Sequence, residues 1–385
     1  MNGASALTAA AIFYLLRTIF QGKSATIELG AFWTIFWLTW ALLRREGRFA
    51  WHILYFPLAL YGLASTVSSV FAAAREHQAY EAMLWFKMLL FPAAFTLFTN
   101  LPSLKEWAIK CQAIFGGGVA AYGIVQYFIL GRRDLDRRIT GLSTHVLTYS
   151  NVLLILSLLF LVLWLHHRRP WLLAVTALTT FALGLTFTRS VWLAWIAAVA
   201  VLLVLHRPRW LAYALTAAVI VVVLLPLPFF GRLVSVFDMR QQSNLDRVRM
   251  VEAGIEIIKD YPLFGVGPAN IKEVYVLYRK PDAPRFRIPH LHNNFVQIWA
   301  ERGILALTAY LLFIVMFTRE CLRGLRTDRR LWAEIGIVMM VGLAVSGLFE
   351  FNWGDTEVFY LTLDISALVA AGLNEPASAA VRDSP

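Results

Sequence analysis

Long apolar runs separated by short polar segments dominate the chain. About twelve of them approach the length needed to cross a bilayer: 5–22, 25–43, 50–73, 83–101, 107–130, 146–165, 171–187, 190–206, 210–230, 295–318, 332–350 and 356–372. A helix needs about twenty residues to cross ~30 Å of hydrocarbon, and lipid offers no partner to an unpaired backbone group, so each run is expected as a transmembrane helix. The pattern predicts an all-α polytopic membrane protein of about twelve spans. Spans one to nine occupy residues 1–230, a large polar loop takes 231–291, spans ten to twelve fill 292–372, and 373–385 form a tail. Within the loop, LDRVRMVEAGIEIIKDYP has the period of a helix of about four turns, with Asn244 or Asp246 as N-cap and Pro262 beyond the end. Arg249, Glu252, Glu256, Lys259 and Asp260 share one arc of it; Val248, Val251, Ile255, Ile257 and Ile258 share the other. Arg247 falls in the middle of the apolar arc, so its guanidinium is expected to point into the protein.

Composition agrees with lipid as the main solvent. The chain is 59% hydrophobic and only 15% charged, where soluble domains carry about 25% charged residues. That argues against a cytosolic enzyme or a disordered tail. A net charge of +11 would suit a nucleic-acid binder, but the cations are scattered over short segments between apolar runs, so no nucleic-acid partner is expected. Their distribution sets an orientation instead. With both termini cytoplasmic, the inner loops hold about fourteen Lys and Arg, from Arg44 to Arg330. The first run has no basic segment before it and is expected as a retained span, not a cleaved signal. Cys111 and Cys321 are too few for a disulfide framework or a zinc site.

Two outer segments break the charge asymmetry. Arg132, Arg133, Arg137 and Arg138 stand against only Asp134 and Asp136, and the long loop holds ten Lys plus Arg against seven Asp plus Glu. Cations on the disfavoured side point to a bound anion. Arg189, in TFTRSVWLAW, comes out at the same face. Guanidinium is the group best suited to bidentate phosphate contact; the plainer alternatives are an interfacial anchor for Arg189 and a structural salt bridge for Arg247. PHLHNNFVQIWAERGILAL closes the loop. His290 and His292 are two residues apart, so only an extended backbone would aim both at one point. A neutral His292 at the interface could take a proton from a hydroxyl, a general-base contribution of about 10² to 10⁴ in rate. A metal on this pair would lack a nearby Cys or acidic ligand, so none is expected. Gly265 and Gly267 read as a tight turn. Glu350, Asp355 and Glu357 form an acidic outer turn that could pair with the arginines, and Lys87 and Asp364 could neutralise each other inside the spans.

Taken together, these stretches resemble the O-antigen ligase and polymerase superfamily of bacterial envelope glycosyltransferases. Arg189 to Leu193 looks like the ligase motif of an arginine, three residues and a leucine. Arg247 through Asp260 to Gly267 looks like the family's loop helix with its trailing glycine turn. His292 and Asn293, followed by nine residues and Gly303, match the ligase histidine motif. Val251 stands where the family often has Trp, and Ala306 where Gly is common. The resemblance implies a C-type glycosyltransferase-like fold in the bacterial inner membrane, with the loop and active site in the periplasm. It implies transfer of a glycan from undecaprenyl diphosphate to lipid A core, inverting, without metal or other cofactor. His292, Arg247 and Arg189 would then be catalytic, with Arg132, Arg133, Arg137, Arg138, Arg249, His290 and Asn293 contacting substrate. Within the superfamily a polymerase or a protein O-oligosaccharyltransferase is the alternative; THVLTYSNVLL, the Arg189 motif and the short C-terminus favour the ligase. A transporter or flippase also fits the composition, but such proteins tend to place ionisable groups near mid-membrane, not at one face.

Overall fold

A computed structural model describes residues 49–71, 84, 85, 87–132, 138–206 and 242–375. The predicted spans at 5–22, 25–43 and 210–230 lie outside the described residues, as do Arg133, Arg137 and the tail beyond Glu375. Among the described residues the protein is all-helical, with eleven helices. They are α1 (Tyr55–Phe71), α2 (Leu90–Asn100), α3 (Ser103–Phe128), α4 (Val146–His167), α5 (Pro170–Leu185), α6 (Arg189–His206), α7 (Gln242–Asp260), α8 (Ile271–Tyr278), α9 (Asn294–Gly324), α10 (Arg330–Ser346) and α11 (Thr356–Leu373). Five of them, α3, α4, α6, α9 and α11, are long and apolar enough to cross a membrane, and α1 and α5 are shorter apolar helices.

Position in the bundle follows from sequence pattern. α4 is apolar on every side and is buried along most of its length, packed on α3, α5, α6, α10 and α11. On peripheral helices the large apolar side chains Leu63, Val70, Ile114, Phe181 and Ile196 face outward. A surface of that kind is stable only where the solvent is lipid. The short turn between α4 and α5 is set by Arg168, left-handed at φ 54°, and by Pro170, whose missing N–H costs nothing at the start of a helix.

The stretch 242–293 folds on a small core of its own. Met250, Ala253 and Ile257 of α7 meet Ile271 and Tyr275 of α8, with Val266, Ile288, Leu291 and Ala300 completing the cluster. α8, eight residues long, had no counterpart in the sequence reading. Two expectations for α7 are corrected. Asn244 and Asp246 lie inside the helix, not at its cap, and Ile255 is exposed, because the stripe that packs runs through Asp246, Met250, Ala253, Gly254 and Ile257.

The tenth predicted span is also more than a simple crossing. α9 runs from Asn294 to Gly324 and is broken at Gly303, at φ 81° and ψ 177°. The Gly265–Gly267 turn docks on this break: Val266 N–H donates to Ala300 O and Gly267 N–H to Glu301 O, both at 2.9 Å. A Cβ on Gly303 would sit 2.0 Å from the Leu263 carbonyl oxygen, and one on Gly265 would sit 2.5 Å from the Glu301 carbonyl carbon. Both positions also hold positive φ, so glycine is required twice over. The first turns of α9 therefore belong to the loop assembly, and the spacing from Asn293 to Gly303 is the distance from the helix cap to the docking point.

Candidate active site

Arg189 opens α6 after a left-handed residue, Phe187 at φ 52°. Its guanidinium is buried and donates to Ser243 Oγ at 3.1 Å and Asn244 Oδ1 at 2.9 Å, which ties α6 to the first turn of α7. One turn further along α7, Asp246 is buried and pairs with Arg285 at 3.0 Å. Arg247, its neighbour, makes no hydrogen bond or ion pair among the described residues. Burial lowers its pKa from the ordinary arginine value, while the charge of Glu350 acts in the opposite sense.

On the facing side, His292 has a left-handed backbone, φ 51°, immediately before the α9 cap, instead of the extended backbone expected for the histidine pair. Its Nδ1 lies 2.8 Å from Glu350 Oε2, and His290 Nε2 lies 3.6 Å from Glu350 Oε1. Along the chain the HxH pair has no acidic neighbour; the fold supplies one from 58 residues away. Burial alone would raise the Glu350 pKa, but the hydrogen bond from His292, with the electrostatic influence of His292 and then His290, holds it below the usual carboxylate value. Burial pushes His290 down to about 4, so that imidazole is neutral at pH 7. A neutral His292 whose Nδ1–H donates to Glu350 would carry its lone pair on Nε2.

The turn that carries Glu350 is held by a buried amide network. Asn294 donates to Asn352 Oδ1 at 2.6 Å and accepts from Trp353 N–H, and its own backbone N–H reaches Gly347 O at 2.7 Å. Asn352 and Ser346 both donate to Asn151 Oδ1 on α4. The His292–Glu350 contact is thus set by polar bonds on both sides.

These elements border a solvent-open cavity of about 130 Å³ lined by Arg138, Arg189, Arg247, Arg285, Asp246 and His292, among others. Four arginines against one carboxylate leave the lining with a surplus of positive charge. In a partly buried site such a surplus favours an anion.

Of the residues singled out in the sequence, Arg138, Arg189, Arg247 and His292 meet in this cavity. The others sit elsewhere. Arg132 donates to Thr140 Oγ1 on an exposed turn. Arg249 is occupied by Glu252 at 2.7 Å and Asp282 at 2.5 Å. Asn293 caps α9, accepting from Phe295 and Val296 N–H and donating to Leu348 O. His290 is adjacent through Glu350 but does not line the cavity. Lys87 donates to Thr356 Oγ1 and Asp364 accepts from Gln112. Arg285 and Glu350 were not assigned to a site by sequence, since no local motif marks either one.

Residues 174–311 match the family model of the O-antigen ligase. The match is consistent with assigning the chain to that family and suggests a glycosyltransferase of the ligase or polymerase type. It spans about a third of the chain and contains Arg189, Arg247, Arg285 and His292; Arg138 and Glu350 lie outside it. No curated protein matches the chain.

Proposed function

We propose that this protein is an O-antigen ligase that moves a glycan from undecaprenyl diphosphate to a sugar hydroxyl of lipid A core at the periplasmic face of the inner membrane. The observation that carries the reading is the convergence of four arginines and His292, itself held by Glu350, on one cavity. Arg247, with no hydrogen-bond partner among the described residues, and Arg189 hold the diphosphate; Arg138 and Arg285 add to the field. His292 Nε2 takes the proton of the acceptor hydroxyl as its oxygen attacks the anomeric carbon. The bond from that carbon to the phosphate oxygen breaks, and the lipid diphosphate leaves as an anion beside the arginines. A single displacement of this kind inverts the anomeric centre and needs no metal. Glu350 fixes the tautomer that leaves Nε2 free and stabilises the imidazolium that forms. The loop that includes residues 242–291 would lie on the periplasmic side and limit competing water.

Reconstitution tests the reading. Purified protein is given lipid-linked glycan and lipid A core, and the products are resolved by size. A single glycan-capped core band is expected. A ladder on the carrier lipid would make the protein a polymerase, and donor movement between leaflets without any product would make it a flippase.

A further inference from the structure

The helices that frame the cavity carry a second cluster at their other ends. α4 starts beside the cavity at Leu147 and finishes on His166 and His167; α6 starts on Arg189 and finishes on His206. α10 begins with Arg330 and Glu334 and leads to the Glu350 turn. One helix length, about 30 Å, therefore separates this cluster from the cavity, and the proposed chemistry makes no use of it.

Glu334 is fully buried. Its Oε1 accepts from Arg330 Nε at 2.8 Å, which already balances the carboxylate charge. Two imidazoles nevertheless converge on the other oxygen, His166 Nε2 at 2.8 Å and His206 Nδ1 at 3.2 Å. These three atoms lie within 4.8 Å of one another. Two imidazole nitrogens and one carboxylate oxygen are a common donor set for zinc. Tetrahedral zinc with bonds of about 2.1 Å sets its ligand atoms about 3.4 Å apart. The nitrogen–oxygen separations of 2.8 and 3.2 Å would open by about 0.6 and 0.2 Å to reach that value. Helices α4, α6 and α10 pack directly on one another, so the backbone already holds the donors in place. The histidine side chains are 21% and 17% exposed, which leaves an ion a way in.

We infer that His166, His206 and Glu334 form a divalent-metal site of the zinc type, its fourth position open to water. On binding, each imidazole carries its proton on the nitrogen away from the ion. His290, His292 and Glu350 are a second group of the same composition, but its His292 lines the cavity beside four arginines, whereas at the other group Arg330 pairs with the Glu334 oxygen that faces away from the two imidazoles. The inner site would clamp three helices whose opposite ends carry cavity groups.

The test uses full-length protein purified without a polyhistidine tag, stripped with chelator and titrated with Zn²⁺ by calorimetry. Metal content and melting temperature are measured alongside. About one zinc per chain is expected, with a higher melting temperature. His166→Ala and His206→Ala should each lower affinity at least tenfold and abolish the thermal shift, whereas the His290→Ala/His292→Ala double variant should bind like wild type. His166→Gln repeats the measurement with a side chain of closer size, should the alanine variant unfold. The inference is overturned by the absence of saturable zinc on wild type, by binding that survives both inner variants, or by binding lost only in the outer pair.

Discussion

At the scale of single residues, Arg247 and Arg189 meet the cavity on different terms. Arg189 is spent partly on Ser243 and Asn244, whereas Arg247 has no such bonds among the described residues. A charge-assisted hydrogen bond is worth about 1.5–3 kcal/mol, so Arg247→Ala should weaken donor binding by about 10- to 100-fold. Titration of labelled lipid diphosphate is the check. Arg189→Ala should add a loss of stability by releasing the start of α7. Asp355 offers a test by pH. Burial raises its pKa from the usual 3.8 to about 7, against the hydrogen bond from Thr148. A carboxyl with a raised native pKa favours the folded state when protonated. That contribution is complete below about pH 4 and is lost as pH rises through 7. Asp355→Asn should therefore raise the melting temperature most at pH 8 and clearly less at pH 5; an equal gain at both would mean that ionisation is not the cause. The residue scale also shows what a sequence can hide. Arg138, Arg189, Arg247 and His292 were legible because charge on the outer face is visible along the chain. Glu350 was legible only as part of an acidic turn: its partner is 58 residues away, and no spacing rule links them. Asn293 shows its capping role only in the structure, where its side chain accepts from Phe295 and Val296 N–H.

Among the elements, the broken α9 matters most. Its cap at Asn293 and its break at Gly303 place His292 against Glu350 at one end and receive the Gly265–Gly267 turn at the other. Gly303→Ala forces a Cβ into the Leu263 carbonyl at a backbone angle that alanine avoids. A cost of about 1–3 kcal/mol is expected from the backbone alone, seen as a lower melting temperature together with reduced transfer. Asn293→Ala should cost about 1 kcal/mol through the lost cap while donor affinity stays within a few-fold; a large loss of affinity would make Asn293 a substrate contact instead. The sequence predicted α7 well because its apolar residues recur with helical period. It missed α8, whose eight residues give too short a period to stand out. The break in α9 was also hidden, since a glycine inside an apolar run is compatible with a continuous helix.

Across the whole molecule, the arrangement is two-ended. α4, α6 and α10 run from an arginine-rich cavity to the Glu334 cluster, and of these α4 and α6 are long and apolar enough to span a bilayer. The proposed orientation puts the cavity outside. Cys111 and Cys321 are buried, so introduced cysteines can report sidedness. Lys272→Cys in α8 should react with an impermeant maleimide added to intact spheroplasts, and Arg326→Cys should react only after permeabilisation; the reverse pattern would invert the topology. The most direct measurement is transfer itself, with His292→Ala compared with wild type in the reconstituted system. The account predicts a rate lower by about 10² to 10⁴ with lipid diphosphate still bound at near wild-type affinity. A His292→Ala protein that caps the acceptor at the wild-type rate would contradict it.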